Sequence, residues 1–274
     1  MLLLPIVFLD LYFGKFKSSN FGDDLNYFII KELTGMSLVC YNNLLFRKLG
    51  LKITNISCIG SVIDMLTDNK TIVWGTGAIS AQRQMSEKPY KVLAVRGPLT
   101  RKFLLENGIS CPKCYGDPAL LLPRLYTPKF IKKFKVGIIP HYVDLNNEVV
   151  IRLLKLFGAD CKLINVSCYG HWHDIVDEIV SCEFILSSSL HGLIVSDAYC
   201  IPNVWVEFSN KVWGNGFKFY DYYASVNRDN VSPCIIEDTF DVKDILGLRL
   251  RWKPIDIDLS GLINSCPFAR KQLL

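Results

Sequence analysis

What most restricts this chain is an alternation that runs through nearly all of it. A short apolar run is followed by a stretch whose apolar residues recur at helical spacing, and the pair repeats. Ile6–Tyr12 reads as a strand, and Asp23–Leu33 reads as a helix with Leu25, Phe28, Ile29 and Leu33 on one face. Asn55–Ile59, Thr71–Trp74 and Lys91–Val95 are further strands. Gly97–Glu106 is a helix with Pro98 in its first turn and Gly108 past its end. The polar, proline-containing stretch Arg124–Lys135 reads as a connection. After it come strands at Val136–Pro140, Lys162–Val166, Glu183–Ser187 and Asn203–Val206, with helices at Asn146–Phe157, His173–Val180 and His191–Tyr199 between and after them. Apolar strands separated by helices belong in mostly parallel sheets covered on both faces. The expected fold is therefore α/β in two halves, 1–126 and 127–250. Residues 251–274 are expected to pack back on the first half, and a cleft is expected between the halves.

Composition narrows the function classes. The chain has 274 residues, half of them apolar, enough for one large core or two modest ones. The net charge of +5 is mild, and KFIKKFK (129–135) is the densest basic run. No basic stripe interleaved with aromatics appears, so a nucleic-acid partner is not expected. The N-terminal MLLLPIVFLDLYF is shorter than the roughly 20 apolar residues a membrane span needs. Asp10 interrupts it, and no basic segment precedes it. It reads as a buried first strand of a cytoplasmic protein, with peripheral contact at the inner membrane face left open. Of the ten cysteines, Cys58, Cys182 and Cys200 sit in apolar runs and read as core residues. Cys111 and Cys114 form a lone CxxC without a second pair, so no metal site is expected there or at His171 and His173. Scattered cysteines fit a reducing compartment.

In open parallel sheets, ligands bind beyond the carboxyl ends of the strands. Asn20 and Asp23 follow the first strand. Gly75 and Gly77 follow Thr71–Trp74, Arg96 follows Lys91–Val95, and His141 follows Val136–Pro140. Ser187, Ser188, Ser189, His191 and Gly192 form the turn from strand to helix in SSSLHGLIVSDAYCIP. Such a turn presents unpaired N–H groups and the positive end of a helix dipole, which suit a phosphate or carboxylate. His191 can supply a proton near neutral pH. The plainer alternative is a serine cap and a satisfied buried histidine. Arg96 suits a bidentate anion contact or an ordinary ion pair. Asn20 and Asp23 suit sugar hydroxyls or a helix cap. Lys218, in GNGFKFYDYY, suits a phosphate, while the aromatics around it suit either a sugar or a core edge. Gly75-Thr-Gly77 is too short for a nucleotide fingerprint, and the G-x-S-x-G elbow of serine hydrolases is absent.

Taken in order, NFGDDLN, VWGTG, VRGPLT, YGDPALLLP, IIPHYVD, SSSLHGLIVSDAYCIP and GFKFYDYYASV resemble the polysaccharide pyruvyl transferase family, in its bacterial exopolysaccharide and capsule branch, over about Asn20–Val226. The resemblance implies two Rossmann-like domains similar to the B-type glycosyltransferase architecture, an acceptor side in 1–126 and a donor side in 127–250. It implies transfer of the enolpyruvyl carbons of phosphoenolpyruvate to a lipid- or nucleotide-linked sugar, giving a pyruvate ketal and phosphate without a cofactor. His191 then matches the general acid and Arg96 the group that orients the donor. Ser187–Ser189 and Lys218 would hold the leaving phosphate. His141 or Asp23 would be the base, and Asn20, Gly75, Gly77 and Gly192 would line the substrates. One departure stands out: where many relatives carry arginine before LHG, this chain has Ser189. A nucleotide-sugar glycosyltransferase and a non-catalytic sugar-binding relative are the alternatives, since a fold does not fix a function.

Overall fold

The computed structural model describes residues 6–9, 11, 20–41, 49–50, 52–129 and 131–268. They form two five-stranded sheets whose strand pairs are all parallel. The first contains β1 (Ile6–Leu9), β2 (Ser37–Cys40), β3 (Asn55–Ser57), β4 (Thr71–Trp74) and β5 (Lys91–Ala94), in the order β2-β1-β3-β4-β5. The second contains β6 (Phe134–Ile139), β7 (Cys161–Leu163), β8 (Cys182–Ser187), β9 (Asn203–Glu207) and β10 (Cys234–Ile235), in the order β10-β9-β8-β6-β7. Counted from its own first strand, the second sheet repeats the order of the first. In both, the chain moves outward from strand one to strand two, then crosses to the other side for strand three. This is a doubly wound order with its switch point between strands one and three. The fold is α/β with two Rossmann-like domains, as the alternation predicts.

Helices fill the connections: α1 (Phe21–Thr34), α2 (Ile63–Leu66), α3 (Pro98–Glu106) and α4 (Leu122–Leu125) in the first half, then α5 (Glu148–Phe157), α6 (Trp172–Val180), α7 (Leu190–Ala198), α8 (Phe217–Ser225), α9 (Val242–Gly247) and α10 (Ser260–Asn264). Local chemistry sets their ends. Asn147 caps α5 by accepting the Val149 N–H at 2.9 Å, and Gly158 ends it at φ 51°. Val150, Leu153 and Phe157 form its buried face. His171 and Asp174 form a reciprocal capping box on α6.

The largest core runs across both halves. It joins β1 and α1 to the buried faces of α6 and α7, and includes Phe21, Ile29, Trp74, Leu121, Trp172, Leu193 and Trp205. Smaller cores cover the outer face of each sheet, one around Phe103 and Leu104, the other around Leu153 and Leu186. The chain also returns to the first half. Asp221 on α8 accepts the Thr100 N–H at 2.8 Å and so satisfies the first turn of α3. A Cβ on Gly97 would sit 2.0 Å from the Asp221 carbonyl oxygen, so glycine is what lets α8 approach. Leu262 on α10 accepts the Trp74 indole N–H at 3.0 Å. Among the described residues, no helix is long and apolar enough to cross a membrane.

Several expectations change. The strand expected over Ile6–Tyr12 is described only as Ile6–Leu9, because positions 10 and 12 lie outside the described residues, as do 269–274. β2 and β10 are additional strands. In GNGFKFYDYY the glycines are loop, but the aromatic run that follows them is the helix α8, with Gly216 at its cap position. Cys58 and Cys182 are buried, but Cys200 is exposed at φ 56°, in the turn that links α7 to β9.

Candidate active site

The two switch points face each other across one cavity of about 160 Å³. A single water needs about 10–15 Å³ by this measure, so a small organic anion has room. Each wall follows from the topology. Asn20 and Asp23 follow β1, Gly60 and Ser61 follow β3, His141 and Tyr142 follow β6, and Ser189 and His191 follow β8. Lys211 and Trp213, from the segment between β9 and α8, and Lys218, in the first turn of α8, complete the rim.

His191 lies in the first turn of α7 with its side chain 11% exposed. Its Nε2 faces Oδ2 of the buried Asp117 at 3.5 Å, and among the described residues neither atom has another hydrogen-bond partner. The other Asp117 oxygen accepts the Ala119 N–H at 2.9 Å, which pins the carboxylate at the start of the turn Pro118–Leu121. On the opposite side the ring lies against α1. A Cβ on Gly22 would fall 2.1 Å from Nδ1. Gly22 thus makes the space that His191 occupies.

The cavity is cationic. Lys218 is half-buried at the start of α8, and burial followed by the charge of Arg96 pushes its pKa down to about 8. It remains mostly charged at neutral pH. Burial and then Lys218 push His141 down to about 3, so His141 is neutral. Ser189 occupies the cap position of α7, but its hydroxyl makes no cap bond. The first turn of α7 therefore reaches the cavity without a side-chain cap, with the positive end of its dipole leading. Among the described residues that line the cavity, Asp23 alone carries a carboxylate.

Arg96 is placed differently from the expectation. It is fully buried and lies behind the cavity wall. Its Nε donates to Asp221 Oδ2 at 2.9 Å, Nη2 to the Ala78 carbonyl at 2.8 Å, and Nη1 to Ser61 Oγ at 2.6 Å. Ser61 lines the cavity, and because its oxygen accepts from Arg96 its own hydrogen is left to point elsewhere. The guanidinium thus acts on the cavity through Ser61. Gly77 packs on the guanidinium, where a Cβ would lie 2.3 Å from Cζ, and Gly75 packs on Pro118.

The serine turn divides. Ser187 Oγ lies 3.0 Å from the Ile139 carbonyl and 2.9 Å from the Ser189 carbonyl, either of which can accept its one hydrogen, and Ser188 Oγ donates to buried Asp144 at 2.9 Å. Both serines are buried and tie the ends of β6 and β8 together. Only Ser189 of the three lines the cavity. Gly192 packs beneath it against Ser187 and Ile139. The structure therefore brings together Asn20, Asp23, His141, Ser189, His191 and Lys218, and places Gly75, Gly77, Arg96, Ser187, Ser188 and Gly192 behind the wall. Sequence reasoning gave no role to Ser61, Asp117, Tyr142, Lys211 or Trp213. For Asp117 the signal was the YGDPALLLP motif itself, an acid before a proline-initiated turn.

Two doubly wound domains with facing switch points define a two-domain α/β protein whose shared cavity is lined by cationic groups. The family model described as Polysaccharide pyruvyl transferase matches residues 56–210, more than half of the sequence, and the chain belongs to that family. The match includes Ser61, Arg96, Asp117, His141, Ser189 and His191, while Asn20, Asp23, Lys211, Trp213 and Lys218 lie outside it. The chain is 28% identical over 273 residues to an uncharacterized protein of Acanthamoeba polyphaga mimivirus, covering 90% of this chain and 85% of that protein. It is 25% identical over 215 residues to the succinoglycan biosynthesis protein ExoV of Rhizobium meliloti, covering 77% of this chain and 63% of that protein. No solved structure matches.

Proposed function

We propose that the protein transfers the enolpyruvyl group of phosphoenolpyruvate to a sugar of a polysaccharide precursor, closes a cyclic pyruvate ketal and releases phosphate. The observation that carries this reading is that His191, Lys211, Lys218 and the carboxylate Asp23 line one cavity. The donor has a carboxylate and a phosphate. Lys218, Lys211, the Ser61 hydroxyl and the uncapped start of α7 are the groups that would bind them. Membership of the family supports pyruvyl transfer, and the relative whose name refers to succinoglycan biosynthesis supports a sugar acceptor.

The steps use the groups in turn. Protonated His191 gives a proton to the methylene carbon of the donor, and C2 becomes an oxocarbenium centre. A sugar hydroxyl attacks C2 and loses its proton to Asp23. His141, neutral and of low basicity, is better suited to hydrogen-bonding a hydroxyl than to removing its proton. The C2–O bond to phosphate then breaks with its electron pair, stabilised by Lys218 and the α7 dipole. A second hydroxyl captures C2 and loses its proton to the departing phosphate, which closes the ketal. Exposed Trp213 and Tyr142 at the rim offer apolar ring faces to the acceptor sugar. The scheme draws only on side chains and the donor's own phosphate, with no added cofactor. An acceptor carried on a lipid would bring the protein to the inner membrane face from the cytoplasm.

The test supplies phosphoenolpyruvate and a pool of lipid-linked oligosaccharides. Phosphate release is expected only with acceptor present, together with an acceptor product heavier by one pyruvate less one water. A folded His191→Ala protein is expected to release none. Thermal stabilisation by a nucleoside diphosphate and none by phosphoenolpyruvate would move the reading to glycosyl transfer.

A further inference from the structure

A buried carboxylate without a full set of partners is costly, and so is a buried ring nitrogen with none. Asp117 Oδ2 and His191 Nε2 are both in that position, and they face each other at 3.5 Å. Among the described residues, nothing else bonds either atom. A proton on Nε2, shared toward Oδ2, satisfies both at once. A lone pair on Nε2 would instead set two acceptors against one another. Gly22 fixes the other side of the ring, because Nδ1 fills the space where a side chain would begin.

We infer that Asp117 is a positioning residue that holds a proton on His191 Nε2 and so makes Nδ1 the atom that gives a proton to the substrate. The carboxylate neither touches the substrate nor changes protonation. It fixes the tautomer and the ring plane, as a carboxylate does for a histidine in acid–base or metal sites. The imidazolium transfers its Nδ1 proton and is left neutral with hydrogen on Nε2, the form the carboxylate stabilises. It regains a proton from solvent between turnovers. The separation of 3.5 Å lies at the outer limit of a hydrogen bond, and such contacts tighten when substrate closes the site. The use made of Nδ1 rests on the proposed transfer reaction, whereas the tautomer does not.

The experiment therefore reads the two separately. Nitrogen-15 imidazole spectra of the intact protein are recorded without substrate, on the alkaline side where the rings are neutral, and His191 is assigned by its loss in His191→Gln. The wild type is expected to show hydrogen on Nε2 only. Asp117→Asn keeps an oxygen for the Ala119 N–H and turns an amide N–H toward Nε2, so the hydrogen is expected to move to Nδ1. Its kcat is expected to fall roughly 10²- to 10⁴-fold with little change in the donor KM, the pattern of a wrong tautomer. Wild-type hydrogen on Nδ1 overturns the inference without any variant, even if Asp117→Asn fails to fold. An unchanged tautomer in folded Asp117→Asn overturns it as well. A tautomer that shifts in a protein with no phosphoenolpyruvate turnover would leave the Asp117 contact standing and remove the proposed reaction.

Discussion

Lys218 gives the sharpest quantitative prediction. Burial and the neighbouring Arg96 lower its pKa to about 8 in the free protein, so it titrates within reach of ordinary buffers. An anion bound beside it favours the ammonium form, and binding is therefore strong below that pH and weakens above it. Between pH 7 and 9 the charged fraction falls about tenfold, so the dissociation constant of phosphoenolpyruvate should rise about tenfold, or about 1.4 kcal/mol. A phosphate monoester has its second pKa near about 6, so the ligand itself is constant over this range. Calorimetric titration of phosphoenolpyruvate at four or five pH values reads the slope directly. Lys218→Ala should bind roughly 10- to 100-fold more weakly at pH 7, the value of one charge-assisted hydrogen bond, and lose the slope. Lys218→Arg should bind at pH 9 nearly as at pH 7, because a guanidinium stays charged. A wild-type affinity that is flat from pH 7 to 9, or a slope that survives in Lys218→Ala, refutes the assignment of Lys218 to the donor anion.

Gly22→Ala forces the His191 ring back by about 1 Å, and a misplacement of that size costs roughly 10²-fold in kcat. Alanine favours a helix, so the melting temperature should move by only a few degrees, and kcat should fall in a protein that circular dichroism shows intact. Asp221→Ala leaves the buried Arg96 guanidinium without its carboxylate, at a cost of about 3–5 kcal/mol. Calorimetry should show a melting temperature lower by roughly 6–15 °C, far more than any change from substituting an exposed ion pair such as Lys102–Glu106. If Lys211 supplies the charge that Ser189 does not, Lys211→Ala should weaken phosphoenolpyruvate binding and Ser189→Arg in that background should restore it. A double-mutant cycle by calorimetry checks the pair.

The parts of the fold legible in the sequence are those whose strands are buried on both faces. β6 and β8 carry continuous buried runs, Val136–Ile139 and Phe184–Ser187, and the pattern needs no further information. β2 and β10 lie at sheet edges. None of the four β2 residues is fully buried, and Ile235 of β10 is 60% exposed, so neither strand carries a strong pattern. α8 begins at a left-handed Gly216 and carries tyrosines on both its buried and exposed faces, which hides its period. The site was legible where a residue follows a strand closely, as His141, Ser189 and His191 do. Asp117 follows only an isolated bridge at Tyr115, and Trp213 lies in a loop, so the strand-end rule passes over both. Arg96 shows a different limit. Its residue type is right for an anion, but Asp221, far along the chain, already holds it, and only the folded chain reveals that partner.

The repeat of one strand order in both halves places the proposed acid and the proposed base on opposite walls. Facing switch points deliver equivalent loops to one cavity, yet the loops differ in charge. The first half supplies Asn20, Asp23 and Ser61, while the second supplies His191, the start of α7, Lys211 and Lys218. In the proposed reaction an anionic donor would be drawn to the second wall, and a neutral, hydroxyl-rich acceptor would meet hydrogen-bonding groups on the first. That reaction requires the proton donor of one wall to reach the methylene carbon while the carboxylate of the other reaches the hydroxyl that attacks the neighbouring C2. Gly22 meets that requirement, because its missing side chain admits His191 against the turn that also carries Asp23. On this argument Gly22 acts by leaving space, and any side chain there separates the acid from the base while both domains stay folded.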